Sequence, residues 1–270
     1  MPHLTVNDTR IWYDDSAPGD TTRPAMLFSH GLLFDVRQFD AQLQAFRDTF
    51  RVVRYDHRGQ GQSDIPPGRI ATIEQCTADA IALIDALGLA PCHFVGLSMG
   101  GFVALRIAAR RPELLRSCIV LDSSAEPEPN RLQYRLLNLI ARFIGLGMVS
   151  RKVMKILFGR TFMASAARAE EREEWHRRLR HNPRQIYKAV NGVIEREPVT
   201  AAELAAIRTA TLVMVGEEDV ATVPAKSERM HAAIAGSKLV RIPQAGHSSA
   251  IENPQFVNEA IREFVEGLAG

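Results

Sequence analysis

The sequence predicts an α/β fold in which a mostly parallel sheet is flanked by helices. Short apolar runs that end in polar residues recur along the chain, and amphipathic helical patterns lie between them. Apolar runs of this kind are typical of strands that are buried on both faces of a parallel sheet. Because strand and helix alternate several times, crossover connections must join the strands, which favours one sheet with helices on its faces.

Six runs are predicted to be the strands of this sheet. All are short and mostly apolar: Ala25–Ser29, Val52–Tyr55, Cys92–Gly96, Cys118–Leu121, Thr211–Val215 and the weaker Lys238–Ile242. Residues 1–20 are predicted to add a hairpin at one edge of the sheet.

Three helices are predicted between or after these strands. Thr72–Leu87 places apolar residues at spacings of three and four, and Gly88 follows it as a stop signal. Phe102–Arg110 and Phe256–Leu268 have the same kind of pattern.

The composition limits the class of protein. The 270 residues are 46% hydrophobic and 24% charged, which argues against disorder. No apolar run reaches the roughly 18 residues that a membrane-spanning helix needs, and the first residues show no secretory signal. Cys76, Cys92 and Cys118 form no CxxC pair, so we expect buried thiols in a reducing, cytoplasmic compartment.

A basic segment is set apart in the middle of the chain. The whole protein has a net charge of +2, but residues 131–197 carry +9 and the remainder carries −7. Proline residues bound this segment on both sides, as breakers do. We interpret residues 126–198, the inserted segment, as a helical cap within a core formed by residues 1–125 and 199–270.

The inserted segment is predicted to be helical throughout. Several apolar residues share one helical face and are expected to be core, with some of them facing the active site: Leu132, Leu136, Leu139, Ile140 and Phe143. Its basic charge allows three interpretations. It could attract an anionic substrate, it could rest on an anionic membrane, or it could be a solvated face with local Glu–Arg pairs, which is the favoured interpretation.

The strongest chemical signal is Gly96-Leu97-Ser98-Met99-Gly100. It follows a predicted strand and precedes a predicted helix, which is the context of a nucleophile elbow. Glycines at both ends permit a sharp turn that holds the Ser98 hydroxyl out at the end of the sheet. Ser98 is therefore the predicted nucleophile.

A serine hydroxyl needs a base, and the base needs an acid to orient it. His247 follows the last predicted strand, and Asp219 follows the strand before it, which is the chain order of an elbow-type triad. Glu217 and Glu218 are rivals of Asp219 in the same turn, and Asp122 is a rival at the end of the strand Cys118–Leu121.

Two backbone amides are predicted to bind the oxyanion. Met99 lies at a helix N-terminus directly after the nucleophile, and Leu32 follows His30-Gly31 after the first strand. His30 itself is interpreted as a residue that shapes this loop.

These motifs resemble the α/β-hydrolase superfamily, in its serine-nucleophile branch, over nearly the whole chain. They occur in the family's order: His30-Gly31, Asp56–Ser63, Gly96–Gly100, Gly216…Asp219…Pro224 and Gly246-His247. The chain is most similar to small bacterial carboxylesterases and 3-oxoadipate enol-lactonase-like proteins with a helical cap. The resemblance implies the α/β-hydrolase fold, a triad of Ser98, Asp219 and His247, and oxyanion amides from Leu32 and Met99.

No cofactor or metal is predicted. Asp64 stands where a dinucleotide fingerprint needs glycine after Gly59 and Gly61. His176 and His181 are five residues apart, which does not place them on one helical face as a metal pair requires. No nucleic-acid partner is expected, and membrane contact through the cap is the less favoured alternative.

The predicted function is hydrolysis of carboxylic esters with small to medium acyl chains through an acyl-enzyme. One alternative is hydrolysis of an enol-lactone or of a carbon–carbon bond in an anionic metabolite. A third hypothesis is a non-enzymatic small-molecule receptor of the same fold, because fold alone does not determine function.

Overall fold

The computed structural model describes residues 2–268. An eight-stranded sheet in the order β1-β2-β4-β3-β5-β6-β7-β8 forms its centre. The strands are β1 (His3–Val6), β2 (Thr9–Asp15), β3 (Ala25–Ser29), β4 (Arg51–Tyr55), β5 (Cys92–Leu97), β6 (Leu115–Leu121), β7 (Ala210–Gly216) and β8 (Lys238–Ile242). Strands β1 and β2 form the predicted edge hairpin and pair antiparallel, whereas β3 to β8 are parallel. The predicted fold class is confirmed.

Helices cover both faces of the sheet. The α-helices of the described residues are α1 (Asp40–Phe46), α2 (Ile73–Leu87), α3 (Met99–Arg110), α4 (Arg131–Ile144), α5 (Ser150–Leu157), α6 (Arg160–Ala164), α7 (Ala169–Arg180), α8 (Tyr187–Ile194), α9 (Ala201–Ala206), α10 (Pro224–Ala233), α11 (Ser249–Glu252) and α12 (Pro254–Glu266). Local sequence sets the bounds of α2, because Thr72 and Gln75 form a capping box and Gly88 ends the helix at φ 60°.

The core is divided by the sheet into two layers. The larger layer joins one face to α2 and α3, and the other joins the opposite face to α1 and α12. Every residue of β3, β4 and β5 is buried, as expected for strands covered on both sides. The free thiols of Cys76, Cys92 and Cys118 lie in this core, which confirms the prediction of buried cysteines.

Five helices, α4 to α8, lie between β6 and β7 in the inserted segment. The helical content expected there is present, while the division of the chain into core and cap remains a prediction. Across residues 2–268, no helix is long and apolar enough to cross a lipid bilayer.

The predicted burial of the apolar face of α4 is wrong. Leu132, Leu136, Leu139 and Phe143 are between 51% and 80% exposed, so they are neither core nor lining of a closed site. The side chain of Ile140 lies outside the described part of the structure. The reason for the exposure is that α4 packs on α8 through its polar side chains, as described below.

Candidate active site

The strand-to-helix turn at Ser98 has the strained backbone of an elbow. Ser98 sits between β5 and α3 with φ 51° and ψ −107°, a conformation that a side chain rarely adopts. Gly96 and Gly100 make this turn possible, because a Cβ at Gly96 would overlap the Gly100 carbonyl and one at Gly100 would overlap the Ser29 carbonyl. The turn therefore holds Ser98, half-buried, at the carboxyl end of the sheet.

Ser98, His247 and Asp219 are brought together by the ends of three strands. His247 Nε2 lies 2.8 Å from Ser98 Oγ, and His247 Nδ1 lies 2.9 Å from Asp219 Oδ2. Since a carboxylate can only accept, Nδ1–H donates to Asp219 and the lone pair of Nε2 faces the serine hydroxyl. In this tautomer the imidazole can take the Ser98 proton.

The carboxylate of Asp219 is stabilised in its charged form. Its Oδ1 accepts the amides of Ala221 and Thr222 at 2.8 and 2.9 Å, and its Oδ2 accepts the Thr222 hydroxyl at 2.7 Å. Burial alone would raise the pKa of Asp219, but the charge and hydrogen bond of His247 hold it below its ordinary value. Asp219 is thus an anion that can orient His247.

The pKa of His247 is shifted in the opposite direction. Burial alone would lower the pKa of His247, but the charge and hydrogen bond of Asp219 raise it above its ordinary value. The pair therefore favours the state in which Asp219 is charged and His247 can hold a proton.

The three rival carboxylates make other contacts. Asp122 accepts the Gly216 amide at 2.8 Å and the Ser249 amide at 3.1 Å, so it ties the end of β7 to the loop that carries His247. Burial and the nearby Asp219 charge raise the pKa of Asp122. Glu218 accepts the Thr161 amide of the inserted segment, and Glu217 is exposed.

The loop after β3 lies beside the nucleophile. A Cβ at Gly31 would be 3.5 Å from Ser98 Cβ, which places this loop against the elbow. Among the hydrogen bonds of residues 2–268, the Leu32 amide has no partner. The Met99 amide is the first of α3 and has no acceptor one turn before it. Both amides are thus available to a negative oxygen.

Two glutamine side chains support this loop, and neither role was predicted, although Gln60 lies within the motif Asp56–Ser63. Gln38 Oε1 accepts the Gly31 amide at 2.7 Å, and Gln60 Oε1 accepts the Leu33 amide at 2.8 Å. Leu33 is held at φ 73°, an unfavourable conformation for a branched side chain. The glutamines flank the Leu32 amide on both sides and keep the strained loop in place.

His30 has the structural role expected of it. Its Nδ1 donates to the Gly31 carbonyl at 2.7 Å, and its Nε2 accepts the His57 amide at 3.0 Å. Burial lowers the pKa of His30, although the Asp56 charge opposes this effect. His30 is therefore a neutral residue that joins two loops.

A buried carboxylate links the inserted segment to the loop of His247. Glu252 Oε2 accepts the Gly159 amide at 2.7 Å, and its Oε1 accepts the Ser248 amide at 3.1 Å. Burial raises the pKa of Glu252 to about 7. Gly159 packs directly on Gly246, where a Cβ on either glycine would clash with the other's backbone. The position of His247 is thus coupled to that of the segment.

An open cavity of about 640 Å³ lies on the Asp219 side of the site. Residues of α5 and α6 line one wall, and Glu217 to Val220 line the other. Neither Ser98 nor His247 contributes to its lining, so we place no substrate there.

The chain belongs to the alpha/beta hydrolase family, whose model matches residues 26–260. A thermophilic esterase from Thermogutta terrifontis has a similar structure, with a TM-score of 0.89, 29% identity and 99% of both chains covered. The 3-oxoadipate enol-lactonase 2 of Acinetobacter baylyi is 29% identical over 259 residues, which are 96% of this chain and 94% of that protein.

A third relative, from Pseudomonas savastanoi, has carbamate hydrolase in its name. It is 26% identical over 249 residues, which are 90% of this chain and 93% of that protein. The three names refer to an esterase, an enol-lactonase and a carbamate hydrolase, and the chain is a member of a family of hydrolases.

Proposed function

We propose that the protein is a serine hydrolase that cleaves carboxylic esters through an acyl-enzyme on Ser98. The observation that carries this proposal is the continuous hydrogen-bonded path from Ser98 through His247 to Asp219, with distances of 2.8 and 2.9 Å. A serine, a base and an orienting acid in contact form the arrangement that acyl transfer requires.

Acylation uses the base and the free amides. As Ser98 Oγ attacks the ester carbonyl carbon, its proton passes to His247 Nε2. The carbonyl oxygen becomes an oxyanion and accepts hydrogen bonds from the Leu32 and Met99 amides. When the carbon–oxygen bond of the ester breaks, His247 returns the proton to the leaving alcohol.

Deacylation repeats these steps with water. His247 takes a proton from the water as its oxygen attacks the acyl carbon. The bond to Ser98 Oγ then breaks, the serine regains the proton, and the carboxylic acid leaves. Atoms and charge balance without a cofactor.

Enol-lactone hydrolysis is a second candidate, favoured by the similarity to the enol-lactonase over 96% of this chain. A lactone is a cyclic ester, so the same residues would act in the same order. The difference would be that the leaving oxygen remains attached to the acid.

The test is hydrolysis of p-nitrophenyl esters from acetate to palmitate by the wild type and by Ser98→Ala. We expect kcat to fall by at least about 10⁴-fold in the variant, because the residues of a triad act as a unit. Ser165→Ala is the matched control, since the Ser165 hydroxyl lies outside the path described above.

Other outcomes would contradict this proposal or favour a different function. Turnover that survives Ser98→Ala would contradict the nucleophile. A folded wild type that cleaves no ester but opens an enol-lactone would replace the esterase by the second candidate, and tight ligand binding without turnover would favour a receptor.

A further inference from the structure

Helix α4 turns its polar face towards the protein. Arg131, Arg135, Asn138 and Arg142 recur at spacings of four, three and four residues and therefore share one face. That face packs against α8 and the residues after it. Asn138 Nδ2 donates to the Tyr187 carbonyl at 3.0 Å and to Asn191 Oδ1 at 2.7 Å.

The arginines of this face are also engaged with the protein. Arg131 donates to the Arg196 carbonyl at 3.0 Å, and Arg135 forms an ion pair with Glu195. The guanidinium of Arg142 lies 4.6 Å from the centre of the Tyr187 ring. The polar side chains of α4 thus hold it to the fold, while the adjacent face, one residue further along the helix, stays exposed.

The outward face of α4 is a row of large apolar side chains. Leu132 is 80% exposed, Leu136 59% and Phe143 67%, and Met148 in the turn that follows is 74% exposed. Single exposed apolar residues are ordinary, but a row along one helix is typical of a surface that binds something.

The stretch of chain that carries this face has charge of one sign. Residues 129–169 contain eight Lys and Arg residues but neither Asp nor Glu. On α5, directly after the turn, Arg151, Lys152 and Lys155 are exposed, and within residues 2–268 none of them forms an ion pair with a carboxylate. A Glu–Arg pair within one helix, as expected of a solvated face, occurs on α7 between Glu174 and Arg177, whereas Arg135 of α4 pairs with the distant Glu195.

We propose that this surface docks on a bilayer of anionic lipids. The docking surface is defined by the exposed apolar residues Leu132, Leu136, Leu139, Phe143 and Met148 and by the basic residues Arg151, Lys152 and Lys155. Leucine and phenylalanine enter the boundary between headgroups and acyl chains, while lysine and arginine stay at the anionic headgroups. This inference does not depend on the proposed ester hydrolysis.

The charge argues against two other occupants. A second copy docking through the same face would bring two surfaces of like charge together. A nucleic acid would be bound by the basic residues alone through its phosphates, and it would leave the row of leucines unused. An anionic bilayer is the partner that uses both the charge and the apolar row.

The first measurement is co-sedimentation of the full chain with lipid vesicles. We expect binding to an equimolar mixture of phosphatidylglycerol and phosphatidylcholine, little binding to phosphatidylcholine alone, and release as salt rises from about 0.05 to about 0.5 M. Equal binding to both vesicles, or binding to neither, would overturn the proposal.

The apolar row is tested by Leu132→Ser combined with Phe143→Ser. We expect the affinity for anionic vesicles to fall at least about tenfold, because two large side chains no longer enter the bilayer. Ile65→Ser is the matched control, since Ile65 is also an exposed apolar side chain but lies outside the docking surface. Circular dichroism shows whether each variant keeps its helices.

The basic residues are tested by changing Arg151, Lys152 and Lys155 to Gln. At about 1 kcal/mol for each charge near the membrane, the affinity should fall about a hundredfold. The matched control changes Arg47, Arg69 and Arg208 to Gln, because these exposed arginines lie elsewhere and their loss changes the net charge equally. Equal weakening by both sets would overturn a local docking surface.

Two further results would assign the surface to another occupant. A dimer that dissociates in the Leu132→Ser and Phe143→Ser variant would show that a second copy covers this face. Binding to a DNA duplex with no binding to vesicles would show a nucleic-acid surface. Either result would contradict the lipid proposal.

Discussion

Helices α2 and α4 have similar lengths and each has an apolar face, but this face is buried in α2 and exposed in α4. Ile73, Leu83 and Ile84 of α2 are at most 2% exposed and pack on the sheet. Leu136 and Phe143 of α4 are more than half exposed. The same periodicity has produced a core helix in one place and an outward-facing one in the other.

The difference lies in what each helix packs against. Helix α2 lies on α3 and on an apolar sheet face, which can only be covered by apolar side chains. Helix α4 meets α8 at Tyr187 and Asn191, whose carbonyl oxygens accept hydrogen bonds from Asn138. The face that a helix turns towards its neighbour is the one whose side chains can pack on, or hydrogen-bond to, the groups of that neighbour.

The largest expected difference is in the free energy of unfolding when a leucine is changed to alanine in each of the two helices. Leu83→Ala should lower the free energy of unfolding by about 2–5 kcal/mol, because it leaves a cavity in the core. Leu136→Ala should change it by less than about 0.5 kcal/mol, because water already covers that side chain. Urea denaturation of both variants measures these values. An equal loss would mean that Leu136 is buried in solution.

A second difference between regions concerns charge. The titratable groups of the site are buried, whereas the basic residues of α5 are exposed to water. In the proposed mechanism His247 must be neutral to act as a base, and its pKa lies above the ordinary histidine value. The kcat/KM for a neutral ester should therefore fall about tenfold per pH unit below that pKa. The measurement is a pH profile at constant ionic strength.

The sign of this effect can be tested through Asp219. The charge of Asp219 raises the pKa of His247, so Asp219→Asn should move the acidic limb of the residual activity to lower pH. Glu217→Gln removes an exposed carboxylate from the same turn and should leave the limb in place. A limb that does not move in Asp219→Asn would count against the pairing of Asp219 with His247.

The smallest expected effect concerns the polar contact of α4. Asn138→Ala removes two hydrogen bonds from a buried side chain and should cost about 1 kcal/mol of local stability. Hydrogen exchange of the α4 and α8 amides measures local opening. Gln133→Ala, at an exposed position of the same helix, is the control. Unchanged exchange in Asn138→Ala would show that other contacts hold α4.

Features that depend on neighbours along the chain could be predicted from the sequence. The apolar runs between helical patterns predicted the parallel sheet, and Gly88 marked the end of α2, because capping is a local interaction. The flanks of Ser98 predicted its turn for the same reason. Asp219 and His247 were proposed from chain order, and the structure brings them into contact, while their catalytic role remains a prediction.

Contacts between residues that are far apart in the chain became known only from the folded structure. Gln60 reaches the Leu33 amide across 27 positions, and Glu252 reaches the Gly159 amide across 93. The exposure of the apolar face of α4 also depends on contacts with residues far away in the chain. Periodicity shows that a helix has two unlike faces, but the partner it packs against determines which face is buried, and that partner is known only once the chain has folded.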